Sequence, residues 1–337
     1  MDQAGQEHRH RWARYGGQLE HQDFCLFLTY RIGIDLGGTK IEGILLDDTL
    51  DDTHDDFGDS HHDMDRLDDT SLTVLKRKRV PTPKENYGDI LDTISSLVDE
   101  LSAGMAKFTV GICTPGAVSD VSGIVKNSNT ACLSGKPLKD DLEKALKRRV
   151  LVENDANCFV VAEACLGSAK EFHLVFGIIM GTGVGGGITI GRQIHRGRSQ
   201  IAGEWGHHTL HPNGTACYCG RSGCAEAYLS GPALERRWFK LTGRRQSMSE
   251  IVQNLDSQVG KKFKAEWLED FSLGLANVID ILDPDAIVLG GGLSNVDFLY
   301  TEGKHSTYEK VFSDSIDTPI LKNHLGDSAG VYGAAML

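Results

Sequence analysis

Short β-prone apolar runs twice bracket a glycine-rich stretch in this chain. Tyr30–Ile34 and Ile41–Leu46 flank Asp35-Leu36-Gly37-Gly38-Thr39-Lys40, and Leu174–Met180 and Ile188–Ile190 flank Gly181-Thr182-Gly183-Val184-Gly185-Gly186-Gly187. Strand, glycine-rich turn, strand predicts a hairpin whose backbone N–H groups can point at one anion. Two such hairpins, each at the start of its own half, predict a duplicated fold that clamps a polyphosphate from both sides. The rest of the pattern fits that frame. Leu72–Val80 reads as the next strand, and Ile90, Leu91, Ile94, Leu97, Val98 and Leu101 recur at helical spacing after the Pro81-Thr82-Pro83 break. Val110–Cys113 is a buried strand, Pro137–Arg149 a helix with proline in its first turn, and Val150–Val152 a strand leading to a helix from Asn154-Asp155 through Leu166. In the second half, helices are predicted from Ala225 and over Ser247–Leu282. Asp283-Pro284-Asp285 is the stop, Ala286–Leu289 a strand ending in Gly290-Gly291-Gly292, and a last helix begins near Gly330. Strands alternating with helices and turning back at hairpins predict a mixed α/β architecture.

Composition changes this picture in few places. The 337 residues suffice for two cored domains, and 40% apolar content fits a globular protein. No apolar run has the length of a membrane span, and Phe24-Cys25-Leu26-Phe27-Leu28 is too short for a signal peptide, so the protein is read as cytoplasmic, with no membrane partner. The net charge of −12 is concentrated: residues 47–69 hold eleven Asp against one Arg, and are read as a solvated loop too poor in large apolar groups to order itself. Residues 1–23 are polar without a period and are read as a disordered extension. Neither part carries the basic footprint of a nucleic-acid binder.

Three sites carry candidate chemistry. At the first hairpin, Asp35 can hold Mg²⁺ or its water shell, while Thr39 and the N–H groups of Gly37 and Gly38 contact phosphate. Gly181-x-Gly183-x-x-Gly186 meets the dinucleotide fingerprint by letters, with Glu204 near the ribose position, but it opens the β-branched Ile188-Thr189-Ile190 instead of a helix, which argues against a dehydrogenase. At Glu153-Asn154-Asp155-Ala156-Asn157, a carboxylate could accept the proton of an attacking hydroxyl; equally, Asn154 or Asp155 could simply cap the helix. The third site is a histidine with Cys217, Cys219 and Cys224, whose spacing suits a closed structural zinc site; His207, His208 and His211 are all near enough to be the fourth ligand. Zinc there would draw Glu204 and Glu226 together, and paired carboxylates suit vicinal hydroxyls of a sugar.

Taken together, Asp35-x-Gly-Gly-Thr-Lys40, Thr114-Pro115-Gly116, Glu153-Asn154-Asp155-Ala156-Asn157, Gly181-Thr-Gly-Val-Gly185, Gly203-Glu-x-Gly-His207, Cys217-x-Cys-Gly-x-x-Gly-Cys224-x-Glu226 and Leu289-Gly-Gly-Gly292 resemble the ROK family of sugar kinases, within the hexokinase/actin-like ATPase clan. Lys126-Asn127-Ser128-Asn129 and Leu133-x-Gly135-x-Pro137-Leu138 look most like bacterial fructokinases of the manno(fructo)kinase type. The resemblance implies an α/β fold of two ribonuclease-H-like domains with an interdomain active-site cleft. The domains would be 24–152, completed by a C-terminal helix over 327–337, and 153–326 with its zinc loop at 207–224. It implies an ATP-dependent hexose kinase, most like a fructokinase, with N-acetylglucosamine, glucose or mannose as alternative acceptors, and a homodimer. Asp155 would be the catalytic base; Asn154, Glu204, His207 and Glu226 would hold the sugar. Asp35, Gly37, Gly38, Thr39, Lys40, Gly181, Thr182, Gly183, Gly290, Gly291 and Gly292 would bind ATP·Mg²⁺, and His207, Cys217, Cys219 and Cys224 structural Zn²⁺. The rival from another class is a sugar-responsive regulator without catalysis, although residues 1–23 lack the helix-turn-helix of the family's repressors. The acidic stretch 47–69 stands where the family has a short turn, and 295–319 is abbreviated.

Overall fold

The structure is a computed structural model that describes residues 30–48, 72–119, 122–126 and 130–337. The extension expected over 1–23, the acidic segment beyond Asp48 and Asn127-Ser128-Asn129 lie outside the described residues. In the first half, strands β1 (Tyr30–Leu36), β2 (Lys40–Asp47) and β3 (Thr73–Pro81) form an antiparallel meander, followed by helix α1 (Tyr87–Leu101) and strand β4 (Thr109–Thr114). A small ribbon of β5 (Ala117–Val118) and β6 (Val125–Lys126) precedes α2 (Leu138–Leu146) and β7 (Leu151–Asn154). The main sheet has the order β3-β2-β1-β4-β7, with β4 and β7 parallel to β1.

Helix α3 (Asp155–Leu166) opens the second half, followed by β8 (Leu174–Met180), β9 (Val184–Ile190) and β10 (Gln193–Ile194). Helices α4 (Glu226–Leu229), α5 (Gly231–Thr242), α6 (Met248–Val252) and α7 (Gln258–Leu282) precede β11 (Ala286–Gly290), α8 (Glu302–Tyr308), β12 (Ile320–Lys322) and α9 (Ala329–Ala335). The second sheet runs β10-β9-β8-β11-β12, with the same two antiparallel and two parallel pairings as the first. The duplication expected from the paired hairpins is therefore a duplication of sheet topology. No helix among the described residues is long and apolar enough to cross a membrane.

Strand alternation sorts the side chains into layers. Ile32, Ile34 and Leu36 pack with Ile90, Ile94 and Leu97 of α1, while the opposite face of β1 carries Gly33 and Asp35 towards α9. In the second sheet Phe176, Ile178 and Met180 join a core with Phe263, Trp267 and Phe271 of α7, and Val175 and Ile179 face α3. Between the sheets α3 and α9 cross. A Cβ on Gly333 would lie 1.8 Å from the carbonyl oxygen of Cys158, so only glycine permits the crossing to be this close. Helix α3 shows no polar stripe because it is covered on every side, with Ala156 through Ala164 all buried.

Three predicted elements differ. Gly185, Gly186 and Gly187 lie inside β9, not in the turn, because α3 and the Gly203 carbonyl leave no room for side chains: Cβ atoms on Gly186 and Gly187 would fall 2.5 Å from Gly203 O and 2.8 Å from Val160 Cγ1. The helix expected over Pro137–Arg149 ends at Leu146, where Lys147 turns left-handed (φ 52°), and Arg148 instead lays its guanidinium over the Phe108 ring. The single helix expected over Ser247–Leu282 is two, because Ser247 caps α6 in a capping box with Glu250 and Ser257 caps α7 afresh. The 295–319 region, expected to be abbreviated, forms α8.

Candidate active site

The junction of β7 and α3 settles which residue caps the helix. Asn154 Oδ1 accepts the Asn157 N–H at 2.7 Å, so Asn154 is the N-cap and Asp155 the first helical residue. Asp155 Oδ1 accepts the Ala156 N–H at 2.9 Å, leaving Oδ2 without a protein partner among the described residues. Glu153 is held on the other side by Arg196 Nε at 2.6 Å and by Asn157 Nδ2 at 3.0 Å, which fixes the strand end from which Asp155 emerges. Solvent reaches the Asp155 side chain. Its carboxyl is raised above the usual carboxylate range, first by the desolvating protein packed round it and then by the neighbouring Glu204.

Asp35 projects from β1 towards the start of α9, where a Cβ on Gly330 would come within 2.9 Å of its Oδ2. Burial pushes its carboxyl up to about 6, against the opposing pull of the Cys113 thiol, and the Asp155 and Glu42 charges add to the rise. Asp35 and Asp155 thus stand close enough to repel one another, because both lie at the same end of the first sheet, Asp35 in β1 and Asp155 just after β7, on either side of β4. Glu42, opposite Asp35 on β2, is fully buried and is neutralised by Arg77 and by Arg79 Nε at 2.8 Å, with Lys40 at 3.9 Å.

The two glycine turns are closed by their own first residues, which corrects one expectation. Gly37 N–H donates to Lys40 O at 3.0 Å and Gly181 N–H to Gly183 O at 2.9 Å, so neither points at an anion. The N–H groups of Gly38 and Thr39, and of Thr182 and Gly183, have no protein acceptor among the described residues. Gly290-Gly291-Gly292 ends β11 beside the second turn: Gly291 has φ 78°, and a Cβ there would lie 2.4 Å from Met180 O. Gly292 faces open space. Glu226, expected among sugar ligands, has Oε2 on the Val184 N–H at 3.0 Å, which ties the cysteine loop to the second hairpin.

That loop gathers His207, Cys217, Cys219 and Cys224 so that one ligand atom from each lies within 4.8 Å of the others. His207 Nδ1 stands 3.8 Å from Cys217 Sγ, and Cys219 Sγ 3.6 Å from Cys224 Sγ. Tetrahedral zinc with Zn–S bonds of about 2.3 Å requires ligand–ligand edges of about 3.8 Å, so the donor set fits that ion in chemistry and spacing. The other candidate histidines are engaged elsewhere, His208 Nδ1 with Trp205 O at 2.5 Å and His211 Nε2 with Asp270 Oδ1 at 2.6 Å. His207 Nε2 meets the hydroxyl of Tyr218 at 3.1 Å. Tyr218 was not singled out by spacing; its only signal in sequence is its place between two cysteines of the cluster.

The geometry therefore links, in spatial order, the first turn, Asp35, Asp155, Glu204, the cysteine loop, Glu226 and the second turn. Comparison with known proteins places this arrangement. The family model described as "ROK family" matches residues 56–337. An N-acetyl-D-glucosamine kinase of Pasteurella multocida (strain Pm70) is 36% identical over 324 residues, 91% of this chain and 98% of that protein. One of Histophilus somni (strain 129Pt) is 34% identical over 320 residues, 90% and 97% of the two chains. The ROK hexokinase structure from Thermus thermophilus superposes with a TM-score of 0.78 at 29% identity, covering 91% of this chain and 97% of that one. A ROK glucokinase from Streptomyces griseus, in complex with glucose and AMPPNP, superposes with a TM-score of 0.69 at 29% identity, covering 91% and 98%. On the family match and the chain-long identity to these relatives, the chain belongs to the ROK family.

Proposed function

We propose that the protein is an ATP-dependent hexose kinase and that its acceptor is N-acetyl-D-glucosamine. The observation that carries the acceptor is the similarity to N-acetyl-D-glucosamine kinases over nine-tenths of the chain. Phosphoryl transfer is supported by two phosphate-sized turns with unpartnered N–H groups and by a carboxylate, Asp155, with one oxygen unoccupied.

In this reading Asp155 Oδ2 takes the proton of the acceptor hydroxyl as the hydroxyl oxygen attacks the γ-phosphorus in line. The raised carboxyl makes it, once ionised, a stronger base than an ordinary aspartate. Asn154 spends its Oδ1 on the helix cap, so its amide N–H₂ is the part offered to the sugar. Glu204 and the remaining oxygen of Glu226 would accept from the other hydroxyls, and His207, with Nδ1 towards the cysteines and Nε2 on the Tyr218 hydroxyl, would act on the sugar through that phenol. On the donor side, Gly38, Thr39, Thr182 and Gly183 N–H groups would bind phosphate oxygens in place of the Gly37 and Gly181 amides, with Lys40 as countercharge. Of Gly290-Gly291-Gly292, Gly292 faces open space and would leave room for the nucleoside, while Gly290 and Gly291 are glycine because Phe159 and Met180 O lie against them. Asp35, a half-buried carboxylate beside the first turn, fits Mg²⁺ or its water shell, and the ion would supply neutralisation of the phosphate charge. His207, Cys217, Cys219 and Cys224 would hold zinc, whose contribution is to fold the loop. The halves, divided at residues 152 and 153, would close as domains over both substrates and exclude water.

Fructose is the second acceptor, favoured by the Leu133-x-Gly135-x-Pro137-Leu138 match. ADP release with N-acetyl-D-glucosamine, fructose, glucose and mannose, each with ATP and Mg²⁺, decides between them. The highest kcat/KM is expected for N-acetyl-D-glucosamine. Turnover confined to fructose would replace the acceptor, and turnover of no hexose would sink the kinase reading.

A further inference from the structure

Tyr218 is a large aromatic residue left 71% exposed, with its hydroxyl set against a ring nitrogen. It sits 3.1 Å from His207 Nε2, and the two rings meet edge to face with centroids 5.4 Å apart. Its backbone is fixed on both sides. Cys217 and Cys219 turn their sulfurs into the metal-type cluster, Gly220 N–H closes the turn onto Cys217 O at 3.1 Å, and Cys217 N–H bonds Arg221 O at 2.8 Å. Arg221 in turn donates to the His207 carbonyl at 2.7 Å. The phenol is also within electrostatic reach of Glu226 and Glu204, the two carboxylates expected to hold the sugar. One side chain thus touches the histidine and lies within the electrostatic field of both acids, while its neighbours in sequence are tied down.

We propose that Tyr218 is a specificity-determining residue of the hexose site: its hydroxyl fixes the ring plane and tautomer of His207, and its exposed ring forms the wall against which the acceptor hexose lies. The proposal rests on the kinase reading above and extends it to a residue outside the sugar-ligand set. With Nδ1 turned to the sulfurs, Nε2 carries the proton and donates to the phenol oxygen, leaving the phenol O–H to donate onward to a sugar oxygen. A ring with an apolar face and a polar tip is suited to a ligand whose C–H face is apolar and whose rim is hydroxylated. The cysteine loop then serves binding through Tyr218: ordering the loop places the wall.

The test compares full-length Tyr218→Phe and Tyr218→Ala with the parent protein. It measures N-acetyl-D-glucosamine and glucose affinity by calorimetry without nucleotide, KM for ATP, and bound zinc by elemental analysis. Tyr218→Phe is expected to weaken hexose binding by up to about tenfold, the scale of one lost hydrogen bond. Tyr218→Ala should weaken it further and change the ratio between the two sugars. Both should leave the ATP KM and the zinc content unchanged. Hexose affinity unaltered in both variants overturns the proposal and leaves the kinase reading standing. So does parallel loss of zinc, ATP and hexose binding in both, which would make Tyr218 a folding residue. A parent protein that binds and phosphorylates no hexose overturns the kinase reading itself and this inference with it.

Discussion

Asp155 is placed to act because its neighbour does the capping. Replacing it with asparagine keeps the helix start, since the cap belongs to Asn154, and removes the proton acceptor. Asp155→Asn is therefore expected to lower kcat by about a thousandfold, within the range seen for a positioned base, with hexose KM changed only a few-fold. Steady-state kinetics check this, and a variant with full turnover would exclude Asp155 as base. The pH dependence follows from the raised carboxyl. The base must be ionised, so activity is full above its pKa and is lost as pH falls through it. Because surrounding protein and Glu204 raise that pKa, the acid limb of kcat should lie above the ordinary carboxylate value. Removing the Glu204 charge (Glu204→Gln) should move that limb to lower pH, and no movement would show that Glu204 does not act on Asp155. At this scale the sequence is legible in residue type and poorly so in direction. The three cysteines gather as their spacing suggested, but spacing left His207, His208 and His211 equally near and Asp155 open between cap and base, and which N–H groups of Gly37-Gly38-Thr39 face outward depends on a turn hydrogen bond that no spacing encodes.

At the scale of elements, α3 and α9 are the layer shared by both sheets, and their close crossing is written in glycine. Gly333→Ala inserts a Cβ 1.8 Å from Cys158 O, a backbone atom that cannot swing aside. It should destabilise the protein by at least about 2 kcal/mol, read in chemical denaturation, and more than an alanine at the open Gly292 would. Equal effects at both positions would show that the crossing is not tight in solution. A second tie is Glu163, fully buried at the end of α3, whose carboxylate accepts the N–H groups of Ser168, His324 and Leu325 at 2.9–3.0 Å. It thereby clamps the connection that leads into α9. Strand and helix types were readable because their apolar periods are strong. What escaped reading were breaks set by single hydrogen bonds, as at Ser257, and strand glycines such as Gly186 and Gly187, whose composition mimics a turn until the helix packed on them is seen.

For the whole molecule, the cysteine loop links local chemistry to global stability. If zinc is the ion it holds, Cys217→Ser/Cys219→Ser should lose stoichiometric zinc and melt at lower temperature, because the energy of binding an ion is energy of folding the loop. Metal that stayed bound in that variant would refute the ligand assignment. The overall plan was legible from the doubled hairpin, since the two sheets repeat one strand order, whereas the small strands β10 and β12 are too short to show a period. That plan also carries a consequence for synthesis. Helix α9, at residues 329–335, lies on β1, β2 and β4 of the first sheet, covering the glycine face of Gly33 and Gly111. The earliest strands to leave the ribosome thus cannot close their inner face until the last helix has been made. The nascent first half must wait, its inner face open, through the whole emergence of the second. Chains stopped before residue 329 should accumulate as aggregates or chaperone clients. A soluble, cooperatively melting truncation would show that the first sheet closes without its final helix.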